Sequence, residues 1–363
     1  MYEKLIPILQ NFIEIDQNTE GSLVIENLVS GHINQTFQVS IKGQNFILQS
    51  INTTIFPEPL KIMENIETVA THLKSKDYER AILNFIKTKN NASIVFDKEG
   101  AAWRLMPFID NTYSILKVEN EQQAFIAAEA FGEYLSYLSD LEVSKIHTIL
   151  PNFHNADFRI QQHRDALKNT ELASSLAMTQ RLKNAEKDLA FIQQHIPYFE
   201  HKNLNIPLRV THNDTKISNI LFDKTTHKAA CIIDLDTLQT STLLADFGDM
   251  VRSYTCSYDE DFEDASQVEM QFSYFEALFL GFFKKFEGEI LEEERSALVY
   301  GAERTVFVQA LRFMTDYLNN DMYYQTKYTE HNRVRAHNQL ALFASIQRQR
   351  EQMERLIITT LGH

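Results

Sequence analysis

The stretch THNDTKISNILFD at 211–223, followed by CIIDLDT at 231–237, constrains this chain more than any other. One short loop carries His212, Asp214, Lys216 and Asn219 and runs directly into two apolar segments separated by a turn. Polar groups packed between apolar runs cost stability unless they find partners, so this loop is either braced or presented for chemistry. The apolar segments are short and punctuated, which predicts a strand–turn–strand hairpin. Such a hairpin would lift Asp234 and Asp236 to its end, beside Asn219. A hard cation that keeps oxygen ligands and shares them with phosphates takes this kind of set, with Asp234 as the carboxylate ligand.

The rest of the chain limits what can surround that loop. At 363 residues it is too long for one compact core and predicts two lobes. A net charge of −14 argues against a protein that tracks a nucleic-acid backbone. Two cysteines, Cys231 and Cys256, make no disulfide framework and fit a reducing cytoplasm. Cys231, inside AACIID, reads as a small buried hydrophobe. The first residues carry no basic leader or cleavage site, so no signal peptide is expected. The apolar run SYFEALFLGFF at 273–283 falls short of a bilayer span and reads as a core helix.

Periodicity changes along the chain. Residues 2–14 read as an amphipathic helix. Hairpins are expected around Lys42-Gly43-Gln44 and at Asp97 to Gly100, with a proline-led helix between them. After Pro107 to Asp110 the apolar spacing becomes helical over most segments to the end. The expected architecture is α+β: a small β-rich lobe, 1–108, and a large, mostly helical lobe, 109–363.

Asp214 and Asn219 stand five positions apart, the spacing of catalytic aspartate and magnesium-binding asparagine in the kinase loop H-R-D-x-x-x-x-N. Lys216 matches the commonest form of that loop. Asp246-Phe247-Gly248 spells the protein-kinase metal motif, yet it begins 32 residues after Asp214, whereas Asp234 follows by 20 and ends an apolar strand. Asp246 therefore reads as a structural carboxylate, capping a helix that begins GDMVRSY. Taken together, HNDTKISNILFD, IIDLDT and LLADFGDMVRS resemble the aminoglycoside phosphotransferase/choline kinase superfamily, whose fold is two-lobed and protein-kinase-like. SGHINQTFQV, FILQSINTTIFPEPLKIMENI and ALRFMTDYLNNDMYY are most similar to its N-acetylhexosamine 1-kinase group, a likeness running from about Ser30 to Tyr324.

That resemblance implies a kinase using ATP and Mg2+ on a small molecule, with the anomeric hydroxyl of an N-acetylhexosamine as acceptor. Asp214 would be the base, with Asn219 and Asp234 completing the catalytic set and holding the metal. Backbone groups of Gly31, His32 and Ile33 would approach the phosphates, and Met106 to Phe108 would read the adenine edge. Kinase-like folds carry a phosphate lysine on their third strand, but this chain has Gln49 there; Lys42 and Lys61 are candidates only. Arg312 would contact the sugar, with Asp316 as its possible ion partner one turn on. Asp236 is open between metal contact, sugar-hydroxyl acceptor and loop brace. His212 reads as a brace of the loop.

Two rivals stand beside this expectation. Another acceptor could use the same machinery: an aminoglycoside, choline, homoserine or a methylthio sugar. Polycations need a carboxylate-rich site and quaternary amines an aromatic cage; Arg312 favours a neutral or anionic acceptor. A catalytically silent binding module is the other rival, kept open by Gln49. Neither nucleic-acid nor membrane partners are expected, and oligomeric state is not legible.

Overall fold

The computed structural model describes residues 3–15, 21–28, 33–173, 175–202, 204–286 and 289–362. It divides into two compact units: Met1–Tyr113 with Asp140–Leu150 and Leu221–Gln239, and Ser114–Ser139 with Pro151–Ile220 and Thr240–His363.

Unit 1 is built on an antiparallel five-stranded sheet. Strands β1 (Val24–Leu28), β2 (Gln35–Ile41), β3 (Gln44–Ile51), β4 (Val95–Phe96) and β5 (Ala102–Pro107) run in the order β1-β2-β3-β5-β4. The β2–β3 turn has positive φ at both central residues, Lys42 (51°) and Gly43 (78°), the backbone of a type I′ hairpin that matches strand twist. The second expected hairpin turns at Asp97, whose amide bonds Ala101 O at 3.0 Å and whose side chain takes the Trp103 indole N–H at 2.9 Å. One face of the sheet buries Val39, Leu48, Trp103 and Leu105 against Leu9 and Phe12.

The amino-terminal helix is shorter than its periodicity predicts. A 3-10 turn at Glu3–Leu5 leads into α1, Ile6–Leu9 only. The Asn11 side chain donates to Pro7 O and Ile8 O, at 2.8 and 3.2 Å, and offers those carbonyls an alternative to helix continuation. Helix α2 (Pro59–Ser75) starts on Pro59, whose missing N–H costs nothing in a first turn. Inside unit 1 the fully buried Asn65 of α2 ties in two distant segments. It donates to His147 O and Leu238 O and accepts from His147 N. A three-stranded sheet, order β6-β8-β9, lies chiefly in this unit, with β6 at Thr112–Ser114, β8 at Ile220–Asp223 and β9 at Ala229–Ile232. β8 and β9 are the expected hairpin, and Cys231 within it is fully buried, which pushes its thiol up to about 12.

Unit 2 is helical apart from β7 (Arg209–Thr211) and its partner β10 (Gln239–Ser241). Its helices are α3 (Glu121–Tyr137), α4 (Ala156–Leu172), α5 (Leu176–Phe199), α6 (Leu243–Thr255), α7 (Phe272–Phe283), α8 (Glu292–Ser296), α9 (Leu298–Leu318) and α10 (His331–Leu361). This is the α+β arrangement expected, an antiparallel N-terminal sheet followed by helices. Among the described residues no helix is long and apolar enough to cross a membrane.

One helix crossing, α3 against α7, depends on two glycines. A Cβ at Gly132 of α3 would lie 2.1 Å from Phe282 O of α7, and one at Gly281 of α7 would lie 2.3 Å from Phe125 O of α3. Both obstacles are backbone, which cannot swing aside. Gly281→Ala should therefore destabilise by about 1–3 kcal/mol, read as a lower urea midpoint at unchanged m-value. A wild-type midpoint would show that the helices slide apart freely.

Candidate active site

The loop after β7 is held by α6. The Asp246 carboxylate, fully buried, accepts the amides of His212 at 2.8 Å and Asn213 at 2.6 Å. Thr215 is bound three ways: its amide donates to Asp249 Oδ2 (2.9 Å), its hydroxyl to Asp246 O (2.8 Å), and its carbonyl accepts from Tyr254 OH (2.9 Å). Asp249 in turn takes the Arg252 guanidinium at 3.0 Å. Burial pushes Asp246 up to about 6; His212 and the two amides oppose the shift, and Asp249 adds to it.

Helix α6 begins at Leu243 with Thr242 as its N-terminal flank, so Asp246 caps no helix. That expectation is corrected: the side chain serves the loop, not its own helix. The literal Asp-Phe-Gly has a structural cause at each position. Phe247 is fully buried against Phe275, Phe279, Phe282 and Phe283. Gly248 faces α9, where a Cβ would meet Thr305 Oγ1 at 2.3 Å and Gly301 O at 2.7 Å.

The braced loop presents Asp214. Asn213 before it stands at φ 67°, a left-handed conformation costly for a residue other than glycine. Asn219 Nδ2 donates to Asp214 Oδ2 (2.9 Å) and to Asp214 O (2.8 Å), and Lys216 Nζ is 3.1 Å from Oδ2. Burial raises the Asp214 carboxyl, but Lys216, His212 and the bond from Asn219 outweigh it and hold the group below the ordinary carboxylate range. With its side chain 24% exposed, Asp214 is an ionised carboxylate held in one orientation. His212 is a brace, as expected. It is fully buried, edge-on to Phe131 at 5.2 Å, and its Nδ1 faces the Asp214 amide at 3.3 Å.

Unit 1 contains a second polar network. Arg104 and Asp236, 3% and 2% exposed, are 2.6 Å apart as an ion pair whose angle is not that of a linear hydrogen bond. The other oxygen of Asp236 accepts from Asn34 Nδ2 at 2.7 Å. Arg104 also donates to Gln49 Oε1, at 3.0 and 2.5 Å, from the position facing it across β3 and β5. Gln49 thus pairs with a buried arginine. Asp234 is exposed and left-handed, φ 59° and ψ 53°, two residues before the buried Asp236. With Nδ2 of Asn219 engaged by Asp214, its Oδ1 is the atom of that side chain suited to a hard cation. Among the described residues no three His, Cys, Asp or Glu side chains could hold a metal by themselves. Magnesium bound through a carboxylate and substrate phosphates needs no such cage.

The other expected residues are distributed as follows. Gly31 and His32 lie outside the described residues. Ile33 is exposed, its carbonyl 3.4 Å from Asn52 Nδ2. Met106 is buried in β5 opposite Ile47. The Phe108 amide donates to Asn45 O at 3.0 Å, which removes it as a donor to adenine. Arg312 donates to Gln309 at 3.1 Å and lies over the rings of Phe153, Tyr324 and Tyr323 at 5.2, 5.7 and 5.9 Å. Asp316 does not pair with it. It takes the amides of Tyr323 and Tyr324 at 2.8 and 2.9 Å. Sequence reasoning passed over Arg104 and Asp249, although an arginine inside the apolar run AAWRLMPFI signals a buried charge needing a partner.

Comparison with known proteins shows the family and the fold. Residues 24–278 match a family model described as a phosphotransferase enzyme family. The fold is shared with a microcompartment-associated aminopropanol kinase (TM-score 0.62, 11% identity, covering 95% of this chain and 96% of that one). It is shared too with a spectinomycin phosphotransferase bound to ADP and spectinomycin (TM-score 0.59, 11% identity, 94% and 99%). A Plasmodium vivax ethanolamine kinase is similar as well (TM-score 0.53, 11% identity, 93% and 84%).

Asp246 allows a test of the loop's anchorage. Because its folded-state pKa is raised, its titration contributes stability that is full below the ordinary carboxylate value and lost as pH rises through about 6. Asp246→Asn cannot titrate. Urea unfolding should show the gap between wild type and variant narrowing between about pH 4.5 and about pH 7.5. A gap that widens would place the ionised form as the favoured one.

Proposed function

The chain belongs to the phosphotransferase enzyme family, and from that premise we propose that it is an ATP-dependent kinase of a small sugar, with the anomeric hydroxyl of an N-acetylhexosamine as acceptor. The observation that carries the proposal is the braced Asp214, ionised and hydrogen-bonded by Asn219 five residues on. In this scheme Asp214 orients the acceptor hydroxyl and takes its proton as the oxygen attacks the γ-phosphoryl in line. A carboxylate held below its ordinary range is a weak base, which suits an anomeric hydroxyl, more acidic than an ordinary alcohol. Lys216, 41% exposed, has its charge directed at the same carboxylate and would share it with the phosphates. Magnesium on Asn219 and Asp234 would offset the phosphates' negative charge. Binding and positioning supply the rest of the rate.

Residues 1–108 would be the nucleotide lobe, with Gly31, His32 and Ile33 at the phosphates. Adenine would be read by backbone of Met106 and by the carbonyl of Phe108, since that residue's amide is engaged. Residues 109–363 would carry the catalytic loop and the acceptor site. Asp236, whose two oxygens are engaged, is proposed as the brace that fixes Asp234 rather than as a sugar contact. Arg312 would hold two sugar oxygens or an amide carbonyl with its donor fork. The hexosamine is favoured by the ALRFMTDYLNNDMYY segment and by Arg312, which would repel the cationic acceptors named among the rivals.

The first test is ADP release over free sugars, amino sugars and amino alcohols. N-acetylglucosamine or N-acetylgalactosamine should be turned over; activity only with amines would sink the sugar. Asp214→Asn should lower kcat by about 10²–10⁴-fold with nucleotide affinity little changed. Asp234→Ala should weaken Mg-ATP binding as well as turnover. Equal Mg-ATP affinity in that variant would remove Asp234 from the metal.

A further inference from the structure

Three arginines of unit 2 bear electrostatically on one histidine, His154, and among the described residues none of the three is in an ion pair with a carboxylate. Arg304 and Arg312 stand eight residues apart on α9, two turns along one face. Arg159 comes from α4, which packs along α9. His154 precedes α4, its ring 4.6 Å from that of Phe153, and Arg312 lies over the same Phe153. Arg159 donates to Phe153 O at 3.2 Å and to Gln162 at 2.9 Å. Its Nε, like His154 Nε2, is buried without a hydrogen-bond partner. Nearby acids are engaged elsewhere: Asp316 by backbone amides, Glu260 by Arg252 at 3.5 Å and Arg335 at 3.9 Å.

The electrostatics describe the same cluster. Burial, then Arg304, Arg312 and Arg159, push His154 down to about 3, against a hydrogen bond to the Asn213 backbone. Burial and Arg312 lower Arg159 to about 10, and burial lowers Arg304. Gathering uncompensated cations in a chain of net charge −14 is unfavourable in the empty protein. Such a cost is met at sites that receive the missing charge. The hydrogen bond to Asn213 sets the cluster one residue from Asp214.

We propose that Arg159, Arg304, Arg312 and His154 form an oxyanion subsite on the acceptor side of the catalytic loop. It takes a carboxylate or phosphate, carried by the acceptor or present as a free anion. Resting on the sugar-kinase proposal, this makes the preferred acceptor an acidic sugar rather than a neutral one. A seated oxyanion relieves the repulsion among the guanidiniums and lets His154 take up a proton, turning its second ring nitrogen into a donor.

The test is calorimetric titration of the full chain, without nucleotide, with N-acetylglucosamine, N-acetylglucosamine 6-phosphate, a hexuronic acid and inorganic phosphate. The acidic sugars should bind at least about 10-fold more tightly than the neutral one, as charge-assisted hydrogen bonds require. Arg159→Gln and Arg304→Gln should each abolish that advantage while leaving Mg-ATP affinity unchanged. Tight binding of inorganic phosphate, lost in the same variants, would assign the subsite to a free anion. NMR of the wild-type protein should show the His154 pKa rising on binding, a readout that needs no variant. Equal affinity for neutral and acidic sugars together with no response to phosphate would overturn the proposal. So would an acidic preference that survives both substitutions. If no sugar releases ADP, the sugar-kinase proposal fails by itself, because anion binding is measured without turnover.

Discussion

The carboxylate of Asp246 takes two consecutive backbone amides, and the form of the loop after β7 depends on that bond pair. Asn213 adopts a left-handed backbone that the chain would not hold unaided. Its amide and that of His212 are directed at one buried acceptor, while Thr215 is fixed through its amide, hydroxyl and carbonyl. Helix α6 thereby serves as a rigid template on which Asp214 is displayed. A loop held this way has little conformational entropy left to lose, which is the condition that catalysis by orientation would require of it.

Unit 1 answers a different constraint. A kinase-like sheet whose third strand offers Gln49 in place of a lysine must still satisfy a polar side chain beside an apolar layer. Arg104, facing it across β3 and β5, fills that need and is itself neutralised by Asp236. Removing any one partner would leave a buried charge or amide without its complement, a far larger cost than the pair's net worth. The residue next to such a network inherits its rigidity. Asp234, two positions away and left-handed, is held in a conformation that an isolated turn would not keep.

The parts of this architecture readable from sequence were those set by local rules. Lys42-Gly43 between alternating strands specified a hairpin, and apolar spacing specified the long helices α3, α5, α7, α9 and α10, though not α4. The first helix misled because periodicity says nothing of Asn11, whose side chain competes for the helix carbonyls. Within the loop after β7, the pairing of Asp214 with Asn219 and the bracing role of His212 followed from spacing and composition. Arg104 and Asp249 did not, since their meaning lies in partners 132 and 34 residues away. Long-range pairing of that kind leaves no periodic trace in one sequence.

The Asp-Phe-Gly tripeptide shows how residue identity and role separate. A metal motif would need the aspartate exposed to a cation, the phenylalanine poised and the glycine free for a turn. Here the aspartate is fully buried against two amides, the phenylalanine sits among four others, and the glycine admits a neighbouring helix. Each residue type is demanded by packing, so the three together carry no information about metal. Asp234 presents the opposite case. It is solvent-exposed on a left-handed backbone, two residues before the buried Asp236. Surroundings, not letters, therefore decide which aspartate is a candidate for chemistry.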